Sequence, residues 1–586
     1  MIENHARWGL ARTSTLTVGT MKVTTPAIGF LEAEGVRIPG GAQVVSSVGP
    51  DGTKLKSLGG AVLHQLPSRF WIPSSFRAEE EADDACGLPT RIVPASEGIT
   101  LSRSGDEVVL LDHSFELRRD PRAFVRSIAE LRRSVGPRPL IFAPGIMDVS
   151  NIALLAYAGV DLFDSSLIVY QGLRGFLSTT EGWLPTEPAK WISPSPSRKE
   201  IASLNCDAAA NEVALVNHMI SSGRIRELAE IRSNASPWGV AVLRLLDLDQ
   251  QALQEIFVPV TGPRFCANSR QSLSRPDVAR YRRWVLERYR PAPHKKVLLL
   301  IPCSAKKPYY MSKSHRAFRS ALTSVPNHEV VQELIVTSPL GVVPRELELF
   351  YPAAQYDIPV TGHWDREEVA MVQQMVKQFS SFFETVIADL GAESEFIREV
   401  VDAEEVSDGR PTSQVSLGAM IERLTAACEK HPSVSSGKDR AASLASVARF
   451  QFGEGGERLL DGCSVSGLYP VSKIIGAGGQ LGMMSEERGM ISLTLEGGER
   501  ILQTKHHWVE TEDFELKGNL FCKGVKDADP DLRAREEALV LRKGALVAVG
   551  VAAVSAADML SSDRGLAVTI RHKTKAYALS ETSRRS

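Results

Sequence analysis

Short, wholly apolar runs alternate with amphipathic stretches through the middle of the chain. Glu107-Val108-Val109-Leu110-Leu111-Asp112 reads as a buried strand, and Asp120 to Arg133 carries helical spacing. Pro139 to Gly145 predicts a second strand. Asp148 or Ser150 is placed to cap a helix running to Tyr157. Val160-Asp161-Leu162-Phe163-Asp164 predicts a third strand, and such alternation implies parallel β/α packing. A second series follows, with strands at Lys296–Ile301, Leu334–Ser338 and Glu384–Asp389. Helical stretches near 313–323 and 366–380 lie between them. These predict a small doubly wound sheet. Ligands on such sheets sit past the carboxyl ends of the strands, so the loops starting at Pro302, Pro339 and Asp389 should converge.

The flanks of these two series differ. Residues 1–100 are rich in Gly, Ser and β-branched side chains and read as strands and loops. Between the series, Arg270 to Lys296 holds nine Lys/Arg against two Asp/Glu. Arg275-Pro276 is placed to open a helix to Tyr289, which Pro291-Ala292-Pro293 ends. That predicts a basic connecting helix at a domain boundary. Residues 405–450 read as polar helix, and Gly-punctuated short strands return from about 450. Gly476 to Gly482 lacks the G-x-G-x-x-G spacing and reads as turns.

Composition narrows the class. The 586 residues suggest about three to five domains. Hydrophobic residues at 43% and charged residues at 24% exclude a mainly disordered chain and a disulfide scaffold. With 68 Lys+Arg against 70 Asp+Glu, no global field draws the protein to nucleic acid, so any RNA-binding surface must be a local patch. No run approaches the ~18 apolar residues of a membrane span. The start, Met1 to Arg7, has no apolar signal core. A cytoplasmic protein without a membrane partner is expected. The seven cysteines, Cys86, Cys206, Cys266, Cys303, Cys428, Cys463 and Cys522, are scattered singly with no CxxC pair. They offer no strong metal signal, so no metal and no cofactor is expected.

One segment concentrates reactive groups at a strand's carboxyl end. Pro302-Cys303-Ser304-Ala305-Lys306-Lys307-Pro308-Tyr309-Tyr310-Met311-Ser312-Lys313-Ser314-His315 packs a thiol, hydroxyls, lysines and an imidazole into fourteen residues. Cys303 is a candidate nucleophile if Lys307 or His315 lowers its pKa, and His315 could act as acid or base. On residue types alone, a buried cysteine followed by a solvated basic loop is the plainer reading. The order Pro302-Cys303-Ser304, Lys307-Pro308-Tyr309, Ser312, His315 resembles the signature of the archaeosine synthases. Two further stretches are similar to the same family: Thr337 to Glu348, and Tyr356-Asp357-Ile358-Pro359-Val360-Thr361-Gly362-His363-Trp364.

The resemblance implies a paralogue of archaeal tRNA-guanine transglycosylase. It implies attachment of free lysine, as co-substrate, to the nitrile of 7-cyano-7-deazaguanine in the D-loop of tRNA. A radical-SAM partner subunit would then cleave the adduct to archaeosine. Cys303, Lys307 and His315 become the candidate catalytic residues, and Ser304, Tyr309 and Ser312 candidate substrate contacts. Arg345 could fork the lysine carboxylate, and Glu346 or Asp357 could hold its ammonium. A thiolate that adds to a nitrile gives a thioimidate which an amine then displaces. The rival is direct attack by lysine, with Cys303 only packing.

Leu154 to Ser166 looks like the transglycosylase barrel, with Asp164 at the position of that family's nucleophile. No Asp-Ser-Gly-Gly-Phe-Gln-like segment supplies the second aspartate, and the zinc site is reduced to Cys206 and His218. A degenerate TIM-like barrel is therefore expected, with Asp164 a strand-end acid in a structural hydrogen bond. Lys517 to Val525, Leu546 to Val551 and Arg564 to Val568 resemble a PUA domain, a small RNA-binding β-barrel. Arg564 to Ser586 holds six Lys/Arg against one Asp/Glu. A basic edge there suits phosphate contacts, with Gly518, Arg571 and Lys573 the candidates; Arg584 and Arg585 read better as a solvated tail. The expected organisation is a transglycosylase-like degenerate β/α barrel over 1–290, an α/β core domain over 291–405, a helical linker with a small α+β domain over 406–508, and the PUA domain over 509–586. The alternatives are base exchange at Asp164, or a non-catalytic subunit that presents tRNA.

Overall fold

The computed structural model describes residues 1–18, 20–49, 52–57, 62–66, 90–94, 107–112, 114–186, 196–359 and 362–574. Cys86, Val360, Thr361 and the tail with Arg584 and Arg585 lie outside the described residues. The chain divides into two compact units. The first is Met1–Val258 with Ala557–Gly565; the second is Pro259–Ala556 with Leu566–Ser586. The break falls at Val258 rather than near 290. The predicted basic helix, observed as Pro276–Glu287, sends Val278, Tyr281, Trp284 and Val285 into the core of the second unit.

In the first unit, the strands Val44–Gly49, Ala27–Leu31, Leu162–Asp164, Leu140–Phe142, Val108–Asp112 and Thr90–Pro94 lie side by side and parallel. Gly52–Ser57 and Val62–Leu66 extend the sheet antiparallel. Helices Pro121–Val135 and Ile152–Tyr157 make the crossovers predicted from periodicity, and Asp120 caps the first by accepting from the Ala123 amide. Asp148 and Ser150 do not cap the second, whose N-cap is Asn151. Asp148 accepts instead from the Ser150 amide at 2.9 Å. Buried parallel strands must be apolar on both faces. Accordingly, Val109, Leu111 and Ile141 pack with Phe124, Ile128 and Leu131, while Val108, Leu110 and Leu140 pack with Ile2, Leu16 and Val23 of a three-stranded N-terminal sheet. The expected barrel is present only in part. Among the described residues, the eight strands run in one order with two ends, and Val44–Gly49, Gly52–Ser57 and Val62–Leu66 pair antiparallel rather than as β/α repeats.

The second unit is built on the doubly wound sheet. Its order is Gly341–Pro344, Val331–Thr337, Val297–Pro302, Thr385–Ala388, Glu404–Glu405. All neighbours are parallel except the Gly341–Pro344 edge. Val297 to Ile301 are all 0% exposed, which explains why this run reads so plainly as a buried strand. The chain leaves it for Val331–Thr337 on one side and returns to Thr385–Ala388 on the other, so the winding reverses at its carboxyl end. Helices Gln414–Cys428 and Ser436–Phe452 and a four-stranded antiparallel sheet share this core through Met420, Leu424, Val447, Phe450, Ile474 and Leu481. Of the stretch Gly476 to Gly482 read as turns, only Ala477-Gly478 turns, between strands Ser472–Gly476 and Gly479–Met484, and Gly479 to Gly482 lie in the second strand. A six-stranded sheet from Trp508–Thr511 to Leu566–Lys573 follows.

The first unit depends on a buried charge cluster. Asp161 accepts from Arg12 at 2.9 and 3.0 Å, from Arg132 at 2.7 Å and from the Ile141 amide at 2.8 Å. Although burial alone would raise it, the two guanidiniums and these hydrogen bonds hold its carboxyl below the ordinary range. Removing one member of such a cluster strands the others in low dielectric. Asp161→Ala is expected to cost about 3–5 kcal/mol in denaturant unfolding monitored in the first unit. A loss within about 0.5 kcal/mol, as for an ordinary surface change, would contradict the assignment.

Candidate active site

Cys303 stands one residue beyond the central strand, and its amide still bonds to Val336 O at 3.1 Å. It is half-buried at the point where the winding reverses, the place where open α/β sheets form their crevice. Burial pushes its thiol pKa up. The Thr337 hydroxyl and the Lys307 ammonium pull it back, and Glu393 adds to the rise. The resting group is therefore a thiol, not the preformed thiolate that the flanking lysine suggested.

Lys307 folds over aromatic rings. Its Nζ lies 4.0 Å from the Tyr356 centroid and 6.0 Å from that of Tyr309, a cation–π arrangement. Burial lowers its pKa, against the pull of Cys303 and Asp357. Thr337 Oγ1 and Tyr356 OH are 2.5 Å apart, and the buried Tyr309 hydroxyl pairs with that of Tyr356. Thiol, lysine, threonine and two phenols thus form one cluster, with the two residues Thr337 and Tyr356 added to those expected.

His315 and Arg345 do something other than predicted. Arg345 is buried and donates to Glu333 at 2.6 and 2.9 Å, to Glu348 at 3.1 Å and to His315 Nδ1 at 2.9 Å. Its donors are committed inside the protein, so it cannot fork a substrate carboxylate. A guanidinium only donates, so His315 Nδ1 accepts and its proton resides on Nε2. Burial and the adjacent Arg345 push the His315 pKa down to about 2. A group neutral at every working pH makes a poor proton shuttle. His315 is a positioning residue of the site's frame. Glu348 also accepts from the Tyr310 amide at 2.8 Å and the Tyr469 hydroxyl at 2.5 Å, which ties the reactive loop to the same cluster.

The other candidates separate. Ser312 caps helix Lys313–Thr323 by accepting from the His315 amide at 3.1 Å, a local folding role. Ser304 donates to Lys306 O at 3.0 Å within the loop. Asp357 pairs with Arg264 at 2.8 Å and stays near enough to act on Lys307. Glu346 accepts from Gln332 at 2.9 Å and Tyr289 at 3.1 Å, in a cavity of about 240 Å³ with Lys295, Arg319 and Asp439. Lys295 precedes the central strand while Cys303 follows it, so this cavity and the thiol lie at opposite ends of that strand.

Asp164 is buried, and its carboxylate accepts from the Gly145 amide and, at 3.0 Å, from the Ser166 amide. Cys206 and His218 lie on one helix, Arg198–Ser221, twelve residues or about 18 Å apart, too far to share one ion. Burial pushes the Cys206 thiol up to about 12. In the terminal sheet, Arg571 is held by Glu537 and Leu493 O, so it braces the fold rather than offering a free cation. Lys573 is exposed and donates to Lys517 O at 2.7 Å. A Cβ on Gly518 would meet nothing within 4 Å.

Asp389 joins this region without a role that the sequence displays. It follows strand Thr385–Ala388, is 0% exposed, and neither carboxylate oxygen has an ordinary hydrogen-bond partner. Its only sequence signal was its position at a strand's carboxyl end.

A doubly wound core with a thiol at its switch point, continued in one chain by a β-rich terminal sheet, defines a multidomain α/β protein. Residues 510–574 match the PUA domain family, and 278–424 match a family described as a domain of unknown function (DUF5591). Archaeosine synthase subunit alpha of Methanosarcina acetivorans is 31% identical across 94% of this chain and 95% of its own length. Archaeosine synthase of Haloferax volcanii is 29% identical across 97% and 98%. The tRNA-guanine(15) transglycosylase of Methanothermobacter thermautotrophicus is 26% identical across 79% and 70%. The chain belongs to the archaeosine synthase family.

Arg345→Ala is expected to lower the stability of the second unit by about 3–5 kcal/mol, because Glu333 and Glu348 lose their counter-charge. Arg345→Lys should recover only part, since an ammonium cannot make the fork. The pH dependence has a definite sign. Folded His315 stays neutral down to about 2, whereas an unfolded histidine protonates near 6.5. Its contribution to stability is therefore complete above about 6.5 and lost as pH falls below it. His315→Asn, which keeps an acceptor for Arg345, should show a shallower fall in melting temperature between pH 7 and 4. An unchanged slope would contradict the neutral assignment.

Proposed function

We propose that the protein is a tRNA-modifying transferase of archaeosine biosynthesis that adds free lysine to the nitrile of 7-cyano-7-deazaguanine in tRNA. The observation that carries this reading is the Cys303 thiol at the switch point, beside Lys307 and Thr337. The Cys303 sulfur adds to the nitrile carbon, and the thiol proton passes to the nitrile nitrogen. Lys307, made less basic by burial, is placed to carry it. The resulting thioimidate is attacked by the lysine amine; the C–N bond forms, the C–S bond breaks, and Cys303 recovers a proton from the attacking nitrogen. Splitting the reaction this way replaces one hard addition with two easier ones. A radical-SAM partner then consumes the adduct. Base exchange at Asp164 has less support, because that carboxylate is committed to two backbone amides.

Cys303→Ala is expected to abolish formation of the lysine adduct, read by mass of the digested nucleosides, while tRNA binding persists. Asp164→Asn should leave the adduct largely intact. Full activity in Cys303→Ala would remove the covalent route, and equal losses in both variants would move the chemistry to the barrel.

The terminal module supplies the tRNA anchor in this reading. Lys573→Glu, at an exposed position outside the core, should weaken tRNA affinity and flatten its dependence on salt, since one phosphate contact fewer releases fewer counterions. Single-turnover rates at saturating tRNA should change much less. A salt titration of affinity for wild type and Lys573→Glu tests this, and identical slopes would place the anchor elsewhere.

A further inference from the structure

The two loops that leave the sheet at its switch point carry Cys303 and Asp389. Asp389 donates its amide to Leu300 O at 3.0 Å, and Ala388 pairs with Leu300. The register therefore places Asp389 opposite Ile301, on the same strand face as position 303. Asp389 is fully buried, yet both its oxygens lack ordinary hydrogen-bond partners, and no ion pair reaches it among the described residues. Burying an unpaired carboxyl is costly, so a fold that keeps one there invites a functional explanation. The charged groups acting around it are mostly acidic. Glu405 on the neighbouring edge strand and Asp408 in the loop beyond both act on Asp389, while Glu393 on Asp389's own loop acts on Cys303. Lys307 faces the same thiol from the other loop. Burial and then Glu405 raise the Asp389 carboxyl to about 7, with the Ser407 hydroxyl pulling back.

We propose that Asp389 is the base that deprotonates the incoming lysine ammonium at the switch-point crevice. The proposal rests on the lysine-addition reading and supplies the step it leaves open. Near neutral pH only roughly one lysine ε-amine in 2,500 is uncharged, and an ammonium cannot attack a thioimidate. Asp389 takes one proton from the ε-ammonium. The freed amine forms the C–N bond, the C–S bond breaks, and the thiolate recovers its proton from the attacking nitrogen. Asp389 then returns its proton to the imino nitrogen, leaving the amidine as a cation. Nitrile plus ammonium becomes amidinium, with no proton gained or lost overall. The acidic surroundings favour a cationic co-substrate, and a carboxyl poised near neutrality both accepts and returns the proton.

The test compares wild type with Asp389→Asn on tRNA carrying the cyano base, using lysine and, separately, hydroxylamine. Hydroxylamine is largely uncharged at pH 7.5 and needs no base. The variant is expected to lose about 100-fold or more with lysine and to retain most activity with hydroxylamine. Its lysine rate should rise with pH well beyond the point near 7 where the wild-type rate levels off. Equal rates and pH profiles with lysine would overturn the proposal, as would equal losses with both nucleophiles. Wild type that forms no adduct with either amine would sink the lysine-addition reading, and the proposal with it. A second measurement needs no substrate. A carboxyl raised in the folded state loses stability as pH climbs from about 4 through 7. Asp389→Asn should therefore melt higher than wild type at pH 8, with the gain shrinking toward pH 4. A variant less stable than wild type at pH 8 would show that the carboxylate is paired after all.

Discussion

Arg345 is the group on which the frame of the site depends. One guanidinium binds Glu333 on the Val331–Thr337 strand, Glu348 after the edge hairpin and His315 on the helix that follows the reactive loop. Glu348 extends the cluster to the Tyr310 amide and Tyr469. Each carboxylate is buried and each would be costly alone, so the cluster forms as a whole or not at all. The segment 303–315 is therefore held from its distal end by charge and from its proximal end by the sheet.

Between those anchors the chemistry is set by desolvation rather than by ionised partners. Burial raises the Cys303 thiol and lowers Lys307, so desolvation works against the charged form of each. Such a pair suits a nitrile, a weak electrophile that gains a proton as it gains a nucleophile. The opposite loop contributes acid groups, with the Asp389 carboxyl raised to about 7. The reversal of strand order gives the crevice one loop with a thiol and a cation and a second with carboxyls.

Much of this was legible in the sequence, for identifiable reasons. Runs such as Val297 to Ile301 are apolar on both faces, and a central parallel strand is the element that demands that. Helices Lys313–Thr323 and Arg366–Ser380 lie where the sequence shows helical stretches. Edge strands Gly341–Pro344 and Glu404–Glu405 did not, being short and dependent on pairing with distant segments. Arg345 and His315 were misjudged for the same reason. Leu334 pairs with Pro344, which sets Glu333 opposite Arg345, and nothing in the local sequence displays that register. Asp389 was visible as a strand-end acid, but its burial beside Glu405 and Asp408 exists only in three dimensions.

The covalent bond at Cys303 is the central claim, and one measurement reaches it directly. Protein is incubated with tRNA bearing the cyano base in the absence of lysine, denatured, digested and weighed. The account predicts a base-derived mass on the peptide containing Cys303, which disappears when lysine is added before denaturation. Complete conversion on adding lysine, with no linked peptide at any earlier time and no loss of rate in Cys303→Ala, would contradict it.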